Sequence, residues 1–219
     1  MYDSVSTQSI TPIMPSAQKL KADQTRQQIL EAAFLEIHQQ GFRSASLGNI
    51  LKKTGVTKGA LYHHFPNKQA LGYAVFDEII VPQSQERWAR LQNPVNNPVD
   101  VLLDIGQELI RDMTFEAIQL GCPICNLIQE MSSVDHGFHA RFKTFQDEWR
   151  KQLSEAILRG QLQGLIIKEV NPNAVASFLI ACHDGAASVG KATHDINEYK
   201  NCVNETRRYL NNLRSKQQG

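Results

Sequence analysis

The sequence predicts an all-α fold of about nine helices, with a small helix-turn-helix unit near the N-terminus and a larger helical body after it. Three observations carry that expectation. Apolar residues recur at helical spacing along most of the chain beyond residue 16, and no run shows the period of two that a half-buried strand needs. Helix starts are marked repeatedly by a capping side chain, three of them with proline at the first helical position. Two short helical segments meet at a glycine within twenty residues, Ser46 to Phe65, which is the layout of a helix-turn-helix.

Taken in order, residues 1–18 are rich in Ser, Thr and Gln, include Pro12 and Pro15, and read as a disordered tail. Thr25 and Gln28 form a capping-box pair ahead of Ile29, Leu30, Ala33, Phe34 and Ile37, and that helix stops at Gly41. Ser46 caps a short helix holding Leu47, Ile50 and Leu51. It ends at Gly55, a residue able to take the left-handed conformation of a tight C-cap. Thr57 caps a third helix with Leu61, Tyr62 and Phe65, and Asn67 a fourth that runs to about Leu91. Asn97-Pro98, Cys122-Pro123 and Asn171-Pro172 open later helices, and Asp195 with Glu198 opens the last. The expected division is a helix-turn-helix unit over 19–66 and a larger helical unit over 67–219.

Of the 219 residues, 42% are hydrophobic and 21% charged, ordinary values for a globular chain. No apolar run is long enough to span a bilayer and no secretory signal opens the sequence, so no membrane is expected as a partner. Four cysteines are too few for a disulfide scaffold of this size, which points to a reducing cytoplasm. The net charge of +1 hides an asymmetry: residues 19–68 hold eight basic and three acidic side chains, while the body is slightly acidic. A positive N-terminal quarter suits a module that meets polyphosphate, although solvated faces can produce the same asymmetry by chance.

Within that quarter sit the groups that DNA asks for. Ser46 and Thr57 bring hydroxyls and free backbone N–H groups to helix N-termini, where phosphate binds. Lys58 and Lys68 add charge, Tyr62 a phenolic donor, and Gly59 room for close approach. His63 and His64 are placed to touch base edges. The dense run of Thr25-Arg26, Ile29-Leu30, Ala32-Ala33, Gly41-Phe42, Ile50, Gly55-Val56-Thr57-Lys58-Gly59, Leu61-Tyr62-His63-His64-Phe65 and Lys68 resembles the N-terminal signature of the TetR family. Ala45, Asn49 and Thr54 depart from it, since the family often has Thr, an acidic residue and Ala there. The resemblance implies a repressor that binds a palindromic operator in double-stranded DNA as a homodimer and is released by an effector. It also implies that the last two helices form the dimer seam. Small and apolar residues of the eighth helix (Phe178, Cys182, Gly185, Ala186, Val189) and a stripe in the ninth that includes Val203 and Leu210 suit that seam; intrachain core is the other reading.

In the body, Trp88, Met113, Phe115, Met131, Phe138, Phe142, Phe145 and Trp149 are candidates to line an apolar pocket, or to be simple core. Cys122-Pro-Ile-Cys125 places a thiol at a helix N-terminus, where the dipole favours thiolate, with a second thiol one turn on. Gly121-Cys122 and the spacing from Gly185 to Lys191 resemble the electrophile-responsive, NemR-like branch, which implies that Cys122 and Lys191 act together. The effector is therefore an oxidant or electrophile acting on thiols, or a non-covalent apolar molecule. No cofactor or metal is expected: zinc would need further ligands from Cys182, Cys202, His136 and His139, and nothing fixes their proximity. An enzyme built on Cys122 with His136, His139 or His183-Asp184 is the reading from another class, and a helical interaction module that has lost DNA binding is a third. Glycine-rich phosphate loops and HExxH runs are both absent from the sequence.

Overall fold

The computed structural model describes residues 17–215. The architecture is all-α, with one isolated bridge between Ile166 and Arg214. Helix α1 (Ala17–Gln40) is followed by α2 (Leu47–Thr54) and α3 (Lys58–His64). Then comes a continuous rod made of α4 (Lys68–Val75), a π-helical turn Phe76–Ile80, α5 (Val81–Trp88) and a 3₁₀ turn Ala89–Gln92. The body continues through α6 (Pro98–Asp112), α7 (Phe115–Leu120), α8 (Pro123–Met131), α9 (His136–Leu162), α10 (Pro172–Thr193) and α11 (Ile196–Asn212). Among the described residues no helix is long and apolar enough to cross a membrane.

Most sequence-marked caps make the bonds expected of them. Ser46, Thr57, Asn67, Asn97, Asn171 and Asp195 each accept from a backbone N–H two or three residues on. Thr25 does not. Helix α1 begins eight residues earlier, at Ala17, and the Thr25 hydroxyl instead donates back to the Lys21 carbonyl at 2.9 Å. Residues 17 and 18 of the expected tail are therefore helical, and residues 1–16 lie outside the described residues. The short α7, capped by Thr114, had no place in the sequence reading.

The π-helical turn has a local cause. Pro82 has no N–H to give the Glu78 carbonyl and its ring crowds that oxygen, so the turn ahead of it widens. The Val81 N–H accordingly reaches the Phe76 carbonyl. The rod continues, but Asp77 and Glu78 are turned outward, towards α9 and α1.

The main apolar core runs from α1 to Leu213, with a smaller cluster of Ile118, Ala186, Tyr199 and Val203 beside it. Ile29, Leu30 and Ala33 of α1 have no exposed surface. Burying each of the two larger side chains stabilises the fold by about 1.5–3 kcal/mol. Phe42, just beyond α1, meets Phe138 of α9 edge-on at 4.9 Å. Gly72 of α4 makes this possible, because a Cβ there would lie 2.3 Å from the Phe42 ring. The small N-terminal unit is thus packed against the body through aromatic contacts.

Candidate nucleic-acid interface and the thiol chamber behind it

The turn between α2 and α3 is built as its sequence demands. Gly55 has φ +68°, and its N–H closes α2 on the Leu51 carbonyl at 2.9 Å. From there α3 presents Lys58, Gly59, Tyr62 and His63 to solvent, with the Lys58 ammonium 5.9 Å from the centre of the Tyr62 ring. A Cβ on Gly59 would meet nothing within 4 Å, so no internal contact requires glycine there and the surface is open for a close approach. His64 is half-buried, and burial, then the neighbouring His63 and Arg26, hold its pKa below the usual histidine value. It is the more inward of the two histidines.

Two expected phosphate groups are already engaged. The Ser46 N–H donates to the buried Glu36 carboxylate at 3.3 Å, so it is not free; the Ser46 hydroxyl accepts from Asn49 N at 3.4 Å. The Lys68 ammonium donates to the Arg43 carbonyl at 3.0 Å and lies 5.2 Å from the Phe42 ring centre, with its pKa lowered by burial. An ammonium has three donors, and two remain. Glu36, only 3% exposed, was not marked as important in the sequence. Its carboxylate takes Asn49 Nδ2 at 2.8 Å, the Ser46 N–H, and Lys53 Nζ at 3.3 Å, and the Asn49 bond leads these in lowering its pKa. Here an amide at position 49 does what an acidic residue could not, since it donates.

Besides the Lys68–Arg43 bond, the unit is tied to the body at three polar points. Arg26 of α1 clasps Glu78 of the π-helical turn with two bonds, at 2.5 and 2.7 Å. Glu130, near the end of α8, accepts the backbone N–H groups of Phe42 and Arg43 at 2.7 and 2.8 Å. His38 donates from Nε2 to the Gly121 carbonyl at 2.8 Å, with its pKa lowered chiefly by burial.

Gly121 leads directly into the cysteine pair. It has φ +71°, and a Cβ there would lie 2.7 Å from Lys191 Cδ. Cys122 then caps α8 without a side-chain hydrogen bond of its own, and Cys125 sits one turn on, buried; all four cysteines are free thiols. The Cys125 thiol donates to Cys122. That bond is the largest influence lowering the Cys122 pKa, to about 6 against the opposing effect of burial, with His183 and the N–H groups of Ile124 and Cys125 adding to it. The same interaction raises Cys125 far above the usual range. Burial pushes His183 down, but its 3.2 Å contact with Asp184 and the Cys122 charge outweigh this, and its pKa is raised.

Lys191 lines a surface pocket with both cysteines, as the loose resemblance implies, but its ammonium is held by Asn126 Oδ1 at 2.8 Å. The basic group that helps to lower the Cys122 pKa is His183. Sequence reading used His183-Asp184 only to build a hypothetical catalytic site. The signal available was an adjacent His-Asp pair on the helix that also carries Lys191.

Cys122 and His183 border a cavity of about 340 Å³, open on one side, that is lined by α1 and by α5 to α11. Trp88 and Trp149 stand 5.2 Å apart in its wall, and Tyr199, its pKa pushed up to about 12 by burial, completes the aromatic side. Of the expected pocket residues, Trp88, Met113 and Trp149 line this cavity. Met131, Phe138, Phe142 and Phe145 are buried core, and Phe115 is 61% exposed on α7. The three phenylalanines of α9 are drawn inward by ring contacts around Phe76 and Phe42.

The residues assigned to a dimer seam separate into two sets. Ala186, Val203 and Leu210 are buried inside the single chain, where α10 and α11 pack on one another and on α6 and α7, so they present no free surface. Phe178 and Val189 remain 45% and 40% exposed on α10, Gly185 is open to solvent, and Cys182 is partly exposed. Cys182, Cys202, His136 and His139 do not gather into a metal-holding group among the described residues.

Comparison with known proteins settles the family. Residues 29–75 match the model for bacterial regulatory proteins of the tetR family, and residues 98–205 match the tetracyclin repressor-like C-terminal domain. The chain belongs to the TetR family. It is a helix-turn-helix transcriptional regulator and not an enzyme, so the Cys/His catalytic reading is set aside. A regulator from the lacX 3′ region of Lactococcus lactis subsp. lactis is 27% identical over 173 residues, 79% of this chain and 86% of that one. The repressor DhaR of Mycobacterium sp. (strain GP1) is 26% identical over 161 residues, 74% of this chain and 79% of that one. The crystal structure of reduced E. coli NemR superposes with a TM-score of 0.75 over 89% of this chain and 100% of that one. At 22% identity this likeness concerns the fold.

Proposed function

We propose that this TetR-family chain represses by binding a palindromic operator as a homodimer, and that modification of Cys122 or filling of the cavity beside it releases the DNA. The DNA contacts are Thr57, Lys58, Gly59, Tyr62 and His63 on α3, with the Ser46 hydroxyl and Lys68 at its flanks and His64 contributing from its half-buried place. Lysine and hydroxyl groups meet phosphate, and the histidines read base edges. The homodimer forms through the exposed face of α10, around Phe178, Cys182, Gly185 and Val189, with α11 beside it.

The observation that carries the release mechanism is the short route from thiol to reading head. Helix α8 starts at Cys122, and at its far end Glu130 holds the backbone of Phe42 and Arg43, just ahead of α2. The Gly121 carbonyl next to Cys122 holds His38. Anything that swells or moves the Gly121–Cys125 turn is therefore felt at both ends of the segment that leads into the helix-turn-helix. The thiol is poised for this because its thiolate is already favoured at neutral pH. Lys191 packs over Gly121 and lines the same pocket as both thiols, so an adduct on Cys122 is felt there too.

The experiment is a gel shift on the DNA upstream of the chain's own gene, with and without a thiol oxidant, followed by re-reduction. Wild type is expected to release on oxidation and rebind with reductant, whereas Cys122→Ser binds throughout. A Cys122→Ser variant that still releases on oxidation removes Cys122 as the sensor. Steep loss of affinity with salt is expected for phosphate contacts. Its absence would count against operator binding by this face.

A further inference from the structure

Around the cavity beside Cys122 stand donors that have no partner among the described residues. Arg87, on α5 at its rim, makes no ion pair or hydrogen bond among the described residues, while every other arginine from 69 to 215 has an acceptor. The Trp149 indole N–H is buried and without an acceptor. The Tyr199 hydroxyl likewise meets no partner among the described residues, although its ring is 3% exposed. The one acidic side chain in the lining, Asp184, is already bonded to His183. The Trp149 N–H has no accessible surface, so the donors open to an occupant are the Arg87 guanidinium at the rim and the Tyr199 hydroxyl, and both suit an acceptor-bearing one.

Its walls specify the rest of that occupant. The rings of Trp88, Trp149 and His183 lie 5.2 to 5.9 Å from one another, and Tyr199 borders the same space. Such walls favour a flat π-system over a branched or flexible aliphatic one. The volume of about 340 Å³ is at the small end of ligand sites and matches a one- or two-ring molecule. We propose that this cavity takes a flat aromatic carboxylate, its rings against Trp88 and Trp149 and its carboxylate on the Arg87 guanidinium. The inference rests on the regulator reading, since it names the chemical class of a non-covalent effector for the same chamber. A guanidinium holds a carboxylate through two parallel bonds, which a neutral amide cannot reproduce.

The test is calorimetric titration of the full chain at neutral pH with 2-naphthoate, 2-naphthamide and cyclohexanecarboxylate. Trp88 and Trp149 are the two tryptophans of the sequence and both border this cavity, so quenching of intrinsic fluorescence reports binding beside them, and the Arg87→Gln variant assigns it to this cavity. Naphthoate is expected to quench and to bind about tenfold more tightly than either control, as one charge-assisted pair implies. Arg87→Gln, checked for unchanged helicity, should bring naphthoate down to the level of naphthamide and leave naphthamide unaltered. Trp149→Phe should weaken both ring compounds. Equal binding of acid and amide, or an Arg87→Gln variant that keeps the preference, overturns the proposal. A preparation that retards operator DNA but does not bind naphthoate also overturns it, while leaving the regulator reading intact. One that binds naphthoate but retards no DNA supports the site and counts against that reading.

Discussion

Glu36 offers the sharpest test of how the reading head is held. Replacing it with glutamine keeps the shape and an acceptor oxygen but removes the charge. Hydrogen bonds to a charged group contribute about 1.5–3 kcal/mol and neutral ones about 0.5–1.5. The short bond from Asn49 Nδ2, at 2.8 Å, should lose about 1 kcal/mol; the Ser46 N–H and Lys53 contacts, both at 3.3 Å, should lose less. Lys53 is 43% exposed, so its share is a few tenths at most. Glu36→Gln is therefore expected to destabilise by about 1–2 kcal/mol, and Glu36→Ala by about 2–4 kcal/mol, since it leaves two donors unpaired. Asn49→Asp should cost at least as much as Glu36→Gln at neutral pH, because it sets a second carboxylate against the first. Urea unfolding measures all three. The pH dependence has a definite sign: the Glu36 pKa is lowered on folding, so its contribution is complete above the unfolded carboxylate value and is lost as pH falls through the folded one. If Glu36→Gln and Asn49→Asp both unfold at the wild-type urea concentration, the buried carboxylate is not what fixes α2 on α1.

Alkylation of Cys122 by iodoacetamide should follow its thiolate fraction, rising through about pH 6 in place of the usual thiol range, and His183→Ala should move that midpoint upward; a profile centred near 9 refutes the paired thiolate. Glu130→Gln should leave DNA affinity in the reduced state within a few-fold of wild type but let release occur at lower oxidant concentration, as read by gel shift; unaltered release would place the coupling elsewhere. Gly121→Ala should destabilise by about 1–2 kcal/mol because alanine resists φ +71° and must displace Lys191, measured by thermal unfolding. Phe178→Asp should convert dimer to monomer in sedimentation with helicity retained, and a persistent dimer would move the seam off the exposed face of α10.

Much of the fold was legible because its signals are local. A cap such as Asn171 or a C-terminal glycine such as Gly55 satisfies backbone groups within a few residues, so the sequence alone displays the requirement and its answer. Thr25 shows the limit: the capping pattern is present, but nothing in it reveals that the preceding turns stay helical. The site was legible in proportion to locality. Lys58, Tyr62 and His63 follow from one short helix, and the low pKa of Cys122 from one helix terminus and its CxxC neighbour. His183 did not follow, because its influence on Cys122 depends on where the fold sets α10 relative to the start of α8. Glu36 was hidden for the same reason. A charged residue in an amphipathic helix reads as solvent-facing unless the donors that surround it, here Asn49 and the Ser46 N–H, are brought in from another element.

The placement of the polar ties bears on how an effector would act. If the DNA-reading unit were joined to the body by apolar packing alone, a small shift in the body could be absorbed by side-chain readjustment. Arg26–Glu78, Glu130 with Phe42 and Arg43, and His38–Gly121 are directional contacts, each lost over a displacement of about 1 Å. Two of the three converge on the stretch from His38 to Arg43, between α1 and α2, and both arise from Gly121 and α8. A ligand or adduct that favours a displaced α8 must overcome those bonds, and to shift a regulator from mostly bound to mostly released it must prefer the displaced state by several kcal/mol. Breaking the His38 and Glu130 contacts together is of that size, about 2–5 kcal/mol. The same bonds that hold the reading head in register therefore set how strong an inducer must be, and weakening either one should make release easier at lower effector concentration.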